Sequence, residues 1–147
     1  MMYIWVWRKM PLYQPRMYGP FKDQFVNLPK EIKVLTIEAV NARLKIDPTN
    51  EKSPIRSEML KADLECFRRI HITDDYVLVY TVCDECRNYI MRDKKRLCVD
   101  KIRCLNCSVE PWYRIKMIYV GLWSAKYEEI IAMWRAWINT ANEVLMS

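Results

Sequence analysis

Apolar residues run unbroken at the start of this chain, recur every three to four positions next, and then alternate with polar ones. Met2 to Lys9 is rich in Tyr, Ile, Val and Trp, side chains that suit a pleated, half-buried surface, and predicts a first strand. Pro11, Pro15 and Pro20 each push the preceding residue away from helical geometry, so an extended connection is expected there. Phe21 to Asn27 reads as a short helix stopping near Leu28-Pro29. A longer helix opens with Pro29 in its first turn and Glu31 close behind, where the helix dipole favours acid. Ile32, Leu35, Ala39, Ala42 and Ile46 step along one face of it until Asp47-Pro48. Thr49 to Lys61 is polar, broken by Pro54, and reads as a surface loop.

From there the period is two. Phe67 to Thr73 and Tyr76 to Val82 predict strands joined at Asp74-Asp75 as an antiparallel hairpin, and Tyr113 to Val120 predicts another strand. Cys83 to Pro111 has no apolar period. A closing helix is expected from Ser124 to Leu145, with Tyr127, Ile130, Ile131, Trp134, Trp137, Ile138, Ala141 and Leu145 as a broad stripe. The expected fold is α+β. A first strand and a two-helix hairpin pack on a small antiparallel sheet, within one domain over 1–147 that carries an insertion at 83–111.

Composition narrows the chemistry. The chain has two glycines, Gly19 and Gly121, where average usage gives roughly ten. A P-loop or a dinucleotide fingerprint needs clustered glycines, and neither is present. One histidine, His71, excludes sites that need two imidazoles. A net charge of +6 favours a polyanionic partner. Met117 to Trp123 is the best apolar run, well short of the about 20 residues of a membrane span. Met1 to Trp7 lacks the basic region and cleavage site of a signal peptide, so a cytoplasmic location is expected.

In a reducing compartment, paired cysteines more often bind metal than each other. Cys83-Asp84-Glu85-Cys86 and Cys104-Leu105-Asn106-Cys107 form two C-x2-C pairs separated by 17 residues. Two residues between thiols let each pair grip one side of a tetrahedral ion, so this spacing predicts a closed, structural Zn2+ site in a ribbon-like insertion. Disulfides and unligated thiols are the alternatives; Cys98 is a rival ligand, and Cys66 lies outside the framework. Lys94, Lys95, Arg96 and Lys101 make the insertion basic and are candidate nucleic-acid contacts together with Arg68.

The order of strand, two helices, hairpin and further strand resembles the plan of the RelE/ParE toxin superfamily. Phe21-Lys22-Asp23-Gln24-Phe25 with Leu28-Pro29-Lys30-Glu31-Ile32 is similar to that family's helical hairpin. Phe67 to Ile72 and Asp75 to Val82 are similar to its central basic strand and following strand, and Ile118-Tyr119-Val120-Gly121 with Tyr127 to its last strand and C-terminal segment. Val77 stands where the family has an arginine, Trp123 stands where it has a basic residue, and the cysteine insertion has no counterpart.

The resemblance implies either cleavage of translated messenger RNA on the ribosome or action on gyrase, and a small, acidic, partly helical antitoxin as partner. Messenger RNA cleavage of this kind is attack of a ribose 2′-hydroxyl on the adjacent phosphate, promoted by basic side chains without metal. Alternation puts Arg69 and His71 on one face of their strand and Arg114 and Lys116 on one face of theirs. With Lys126 and Tyr127 these are the catalytic candidates. The competing readings are a solvated sheet face for these cations, sheet packing for Tyr76, Tyr80 and Tyr119, and a non-catalytic nucleic-acid- or protein-binding module on the same fold. Trp134 and Trp137 are expected either to fill the core or to meet the partner.

Overall fold

A computed structural model describes residues 12–17, 19–60, 67–85, 113–124, 126, 128–130, 132, 133 and 136. Strand β1 spans Gln14–Met17, helix α1 Gly19–Val26 and helix α2 Lys30–Ala39, which runs into a π-helical turn at Val40–Leu44. Strands β2 (Glu58–Met59), β3 (Phe67–His71), β4 (Tyr76–Val82) and β5 (Arg114–Leu122) follow. They form one five-stranded sheet in the order β1-β5-β4-β3-β2. The pairs β2/β3, β3/β4 and β4/β5 are antiparallel, whereas β1 runs parallel to β5, so the sheet is mixed rather than purely antiparallel.

The predicted strand from Met2 to Lys9 lies outside the described residues. Strand β1 instead occupies the stretch expected to be a connection. A proline is tolerated on an edge strand, and Pro15 sits on this one, in register with Ile115. At the opposite edge β2 is only two residues long, which limits unwanted strand pairing there.

Both helices form where expected. The Asn27 side-chain amide donates to the Asp23 carbonyl at 2.9 Å, satisfying an acceptor at the end of α1. The buried stripe of α2 differs from the apolar period: Thr36, Ala39 and Leu44 are buried, while Leu35 is 39% and Ile46 53% exposed. Thr36 enters the core because its hydroxyl donates to the Ile32 carbonyl at 2.7 Å, which removes the cost of burying it. In the wide turn that follows, the Lys45 amide bonds back five residues to Val40.

The β3–β4 hairpin turns through Thr73, whose hydroxyl accepts from the Asp75 and Tyr76 amides at 3.2 Å each. β4 is the third of the five strands, and six of its seven residues are buried, so it is covered on both faces. One face presents Leu78, Tyr80 and Met117 in the cluster that holds Phe21, Ala39 and Leu44. The other presents Val77, Val79 and Thr81, all at or below 2% exposure. A bulge shifts the register between Val79, which pairs with Tyr119, and Tyr80, which pairs with Met117. Gly121 lets Tyr119 lie flat along its strand, since a Cβ at position 121 would fall 2.7 Å from Tyr119 Cζ. Residues 128–130, 132, 133 and 136 are helical, and Ile130 joins the core.

Candidate active site

The basic candidates separate into interior and surface groups. Arg68 and Arg69 are neighbours on β3 and therefore face opposite sides of the sheet. Arg68 pairs in register with Tyr80 and is 5% exposed, so it is not part of a nucleic-acid surface. Its guanidinium holds Glu85 with bonds of 2.8, 3.1 and 2.8 Å and also donates to Ser57 Oγ at 3.3 Å. Ser57 meets the Tyr80 hydroxyl at 2.5 Å, and that hydroxyl donates to the Pro48 carbonyl at 2.7 Å. Burial pushes the Tyr80 hydroxyl up to about 12, partly offset by Ser57 and the Arg68 charge. Burial disfavours the charge of Arg68, but Glu85 more than offsets this and raises its pKa. The result is a buried ion pair inside a hydrogen-bonded chain.

The register places Arg69, His71, Arg114 and Lys116 on one face, as the alternation requires. That face is not an open basic concavity. Lys116 is 3% exposed between Arg16 and Thr81 in the register, and Arg114 is half-buried beside Gln14. Alternation identifies a face but not whether anything covers it. Lys126 is exposed, and its carbonyl accepts from the Glu129 and Ile130 amides. Tyr127, Lys94, Lys95, Arg96, Lys101, Cys86, Cys98, Cys104 and Cys107 lie outside the described residues.

Cys83 is buried at the end of β4. The two spacer acids of its C-x2-C pair are anchored in the body of the fold. Glu85 holds Arg68, and the Tyr13 hydroxyl donates to Asp84 Oδ2 at 3.1 Å. Burial, then the Asp84 charge, raises the Tyr13 pKa well above its ordinary value. The sequence signalled the cysteines and not the acids between them.

What remains accessible gathers at the β2 edge. Glu58 of β2 is in register with Arg69, whose Nε and Nη2 reach Glu58 Oε2 at 3.1 and 3.0 Å. The other oxygen, Oε1, lies 4.0 Å from His71 Nε2. Both side chains remain open, His71 at 42% and Glu58 at 50% exposure. They line a cleft of about 550 Å³ with Arg43, Ser53, Pro54, Arg56 and Asp74. Arg43 reaches it from the π-helical turn, donating from Nε to the Ile55 carbonyl at 2.9 Å, from Nη2 to the same carbonyl, and from Nη1 to the His71 carbonyl at 3.0 Å. These bonds fix the loop before β2 against the end of β3. Of this group the sequence singled out only Arg69 and His71. Arg43, Arg56, Glu58 and Asp74 carry no motif, and four separate segments must fold together before they meet.

An imidazole beside a carboxylate, with a guanidinium on that carboxylate, can move a proton and stabilise negative charge at one place. At 4.0 Å the His71–Glu58 contact is longer than a hydrogen bond, and such contacts often tighten when substrate binds.

No protein-family model, curated protein or solved structure matches this chain. Among the described residues, no helix is long and apolar enough to cross a membrane.

Proposed function

We propose that this protein is a RelE-like endoribonuclease that cuts RNA without a metal ion, using His71 as the proton-transfer group. The observation that carries the reading is the cluster of His71, Glu58 and Arg69 at the rim of an open cleft lined by charges of both signs. The order of strand, two helices, hairpin and further strand supports it. In the proposed reaction His71 takes the 2′-hydroxyl proton, and the 2′-oxygen bonds to phosphorus. The bond to the 5′-oxygen breaks, and the leaving oxygen takes a proton from solvent. Glu58 orients the imidazole, and Arg69 supplies positive charge beside the phosphate. Cytoplasmic messenger RNA on the ribosome is the substrate, and a small, acidic, partly helical antitoxin is the partner.

A non-catalytic binding module on the same fold is the second reading, favoured by the burial of Lys116 and Arg68, which withdraws two cations from any reaction. One assay separates the two. Purified protein is incubated with end-labelled messenger RNA, free and on translating ribosomes, in the presence of a chelator. Cleavage is expected to continue, leaving 2′,3′-cyclic phosphate and 5′-hydroxyl ends. Binding without cutting in both settings would leave the binding module.

A structural Zn2+ in the insertion belongs to the same proposal. Glu85 is engaged by Arg68 and Asp84 Oδ2 by Tyr13, and the C-x2-C spacing itself assigns metal binding to sulfur. Cys83, Cys86, Cys104 and Cys107 would hold the ion and complete a closed site with no open position for catalysis. Metal analysis is expected to find about one zinc per chain, as a closed four-sulfur site holds a single ion. Changing Cys104 and Cys107 to serine should release it. Metal-free protein with all its thiols titratable in the native state would refute the site.

A further inference from the structure

Arg43 and Arg56 line the cleft beyond the His71 cluster, and neither has an acidic ion-pair partner among the described residues. The Arg43 guanidinium is held rigidly by its three bonds to the Ile55 and His71 carbonyls. A guanidinium has five N–H donors, so two remain for a ligand. Arg56 is exposed, at φ 54°, in the left-handed region that a side-chain-bearing residue rarely enters. Arg43 is half-buried, and burial lowers its pKa, with Tyr80 opposing the shift and the nearby charge of Arg56 adding to it. Two like charges therefore converge on one open cleft. Of the carboxylates there, Glu58 is taken by Arg69, leaving Asp74 to face the pair.

A rigid guanidinium backing an exposed one matches an oxyanion that can accept from both, and a phosphate does so with charge-assisted, directional bonds. We infer that Arg56, backed by Arg43, forms a phosphate subsite that seats the phosphodiester next to the one cleaved at His71. The subsite rests on the proposed RNA cleavage and adds to it a requirement for substrate length. The cleft then reads at least two consecutive phosphates, one at His71 and one at Arg56. Asp74 limits the affinity for anions in general, so tight seating needs the rest of the nucleotide chain.

Binding of short 2′-deoxy oligonucleotides to the whole chain tests this without cleavage, because they lack the attacking hydroxyl. Dinucleotides, which hold one internal phosphate, are compared by titration with and without a terminal phosphate that supplies the second. The phosphate is expected to tighten binding about tenfold or more, as befits hydrogen bonds to charged groups. Arg56→Ala should abolish the difference and Arg56→Lys keep part of it; both variants retain a Cβ and hence the same backbone cost. Asp74→Asn should tighten binding of the phosphorylated form. Equal affinity with and without the phosphate in the unmodified protein would overturn the subsite, as would a preference that survives Arg56→Ala. Inorganic phosphate binding as tightly as the phosphorylated dinucleotide would also overturn it, showing a free-anion site instead of an RNA subsite. Failure of the cleavage reading would look different: no RNA is cut, whatever the oligonucleotides do.

Discussion

His71→Ala is expected to slow RNA cleavage about 100- to 10,000-fold, the range that a positioned acid–base group contributes. The side chain is 42% exposed at the end of β3, and its recorded polar contact is Glu58 at 4.0 Å, so little of the fold depends on it. The backbone carbonyl that accepts from Arg43 survives the substitution, and the loop before β2 keeps its anchor. A structural explanation therefore predicts a different outcome, namely a lowered melting temperature with a modest loss of rate. Single-turnover rates on messenger RNA, measured beside the thermal melt, distinguish the two. Arg69→Ala provides a second reading on the same cluster. Loss of one preorganised charge contact commonly slows a reaction about 100-fold or more. Unchanged cleavage in His71→Ala would place the chemistry elsewhere.

Arg68→Met is expected to destabilise the fold by about 3–5 kcal/mol, the usual cost of removing one partner of a buried ion pair. Glu85 is 16% exposed and accepts three bonds from that guanidinium, so its charge is left without compensation when Arg68 goes. Ser57 loses a donor at the same time. The corresponding drop in melting temperature is roughly 10–20 °C for a chain of this size. Restoring the balance should restore stability. Arg68→Met with Glu85→Gln leaves no buried charge, and replacing both partners of such a pair is often nearly neutral. Equal destabilisation in the single and double variants would show that packing of the Arg68 stem, not the ion pair, dominates. Ser57 lies between Arg56 and Glu58, so the single variant should also weaken cleavage by loosening the loop that forms one wall of the cleft.

The two short helices and the hairpin from Phe67 to Val82 were legible in the residues, because each is specified by a period read over neighbouring positions. The β3–β4 turn fell where Asp74-Asp75 placed it, with Thr73 adding the hydrogen bonds. β1 was not legible. Its Pro15 weighs against a strand, and only pairing with Arg114 to Met117, about a hundred positions away, makes this segment one. Thr36 likewise belongs to the core through a bond to its own helix, which a count of apolar side chains does not register.

The fate of each cation was settled by burial, a property of assembled layers. Arg68 and Arg69 are one position apart, and alternation sends one inward and one outward; only the packed sheet determines which side is wet. Lys116 shares the face of Arg69 and is nonetheless enclosed. The cleft is the clearest case. A helix turn gives Arg43, a loop Arg56, a two-residue edge strand Glu58, a strand end His71, and a hairpin turn Asp74. No spacing along the chain relates these five, because what joins them is pairing of β2 with β3 and the bonds of Arg43 to two distant carbonyls. Local periodicity is written in neighbouring residues, whereas convergence of remote side chains depends on how the elements pack.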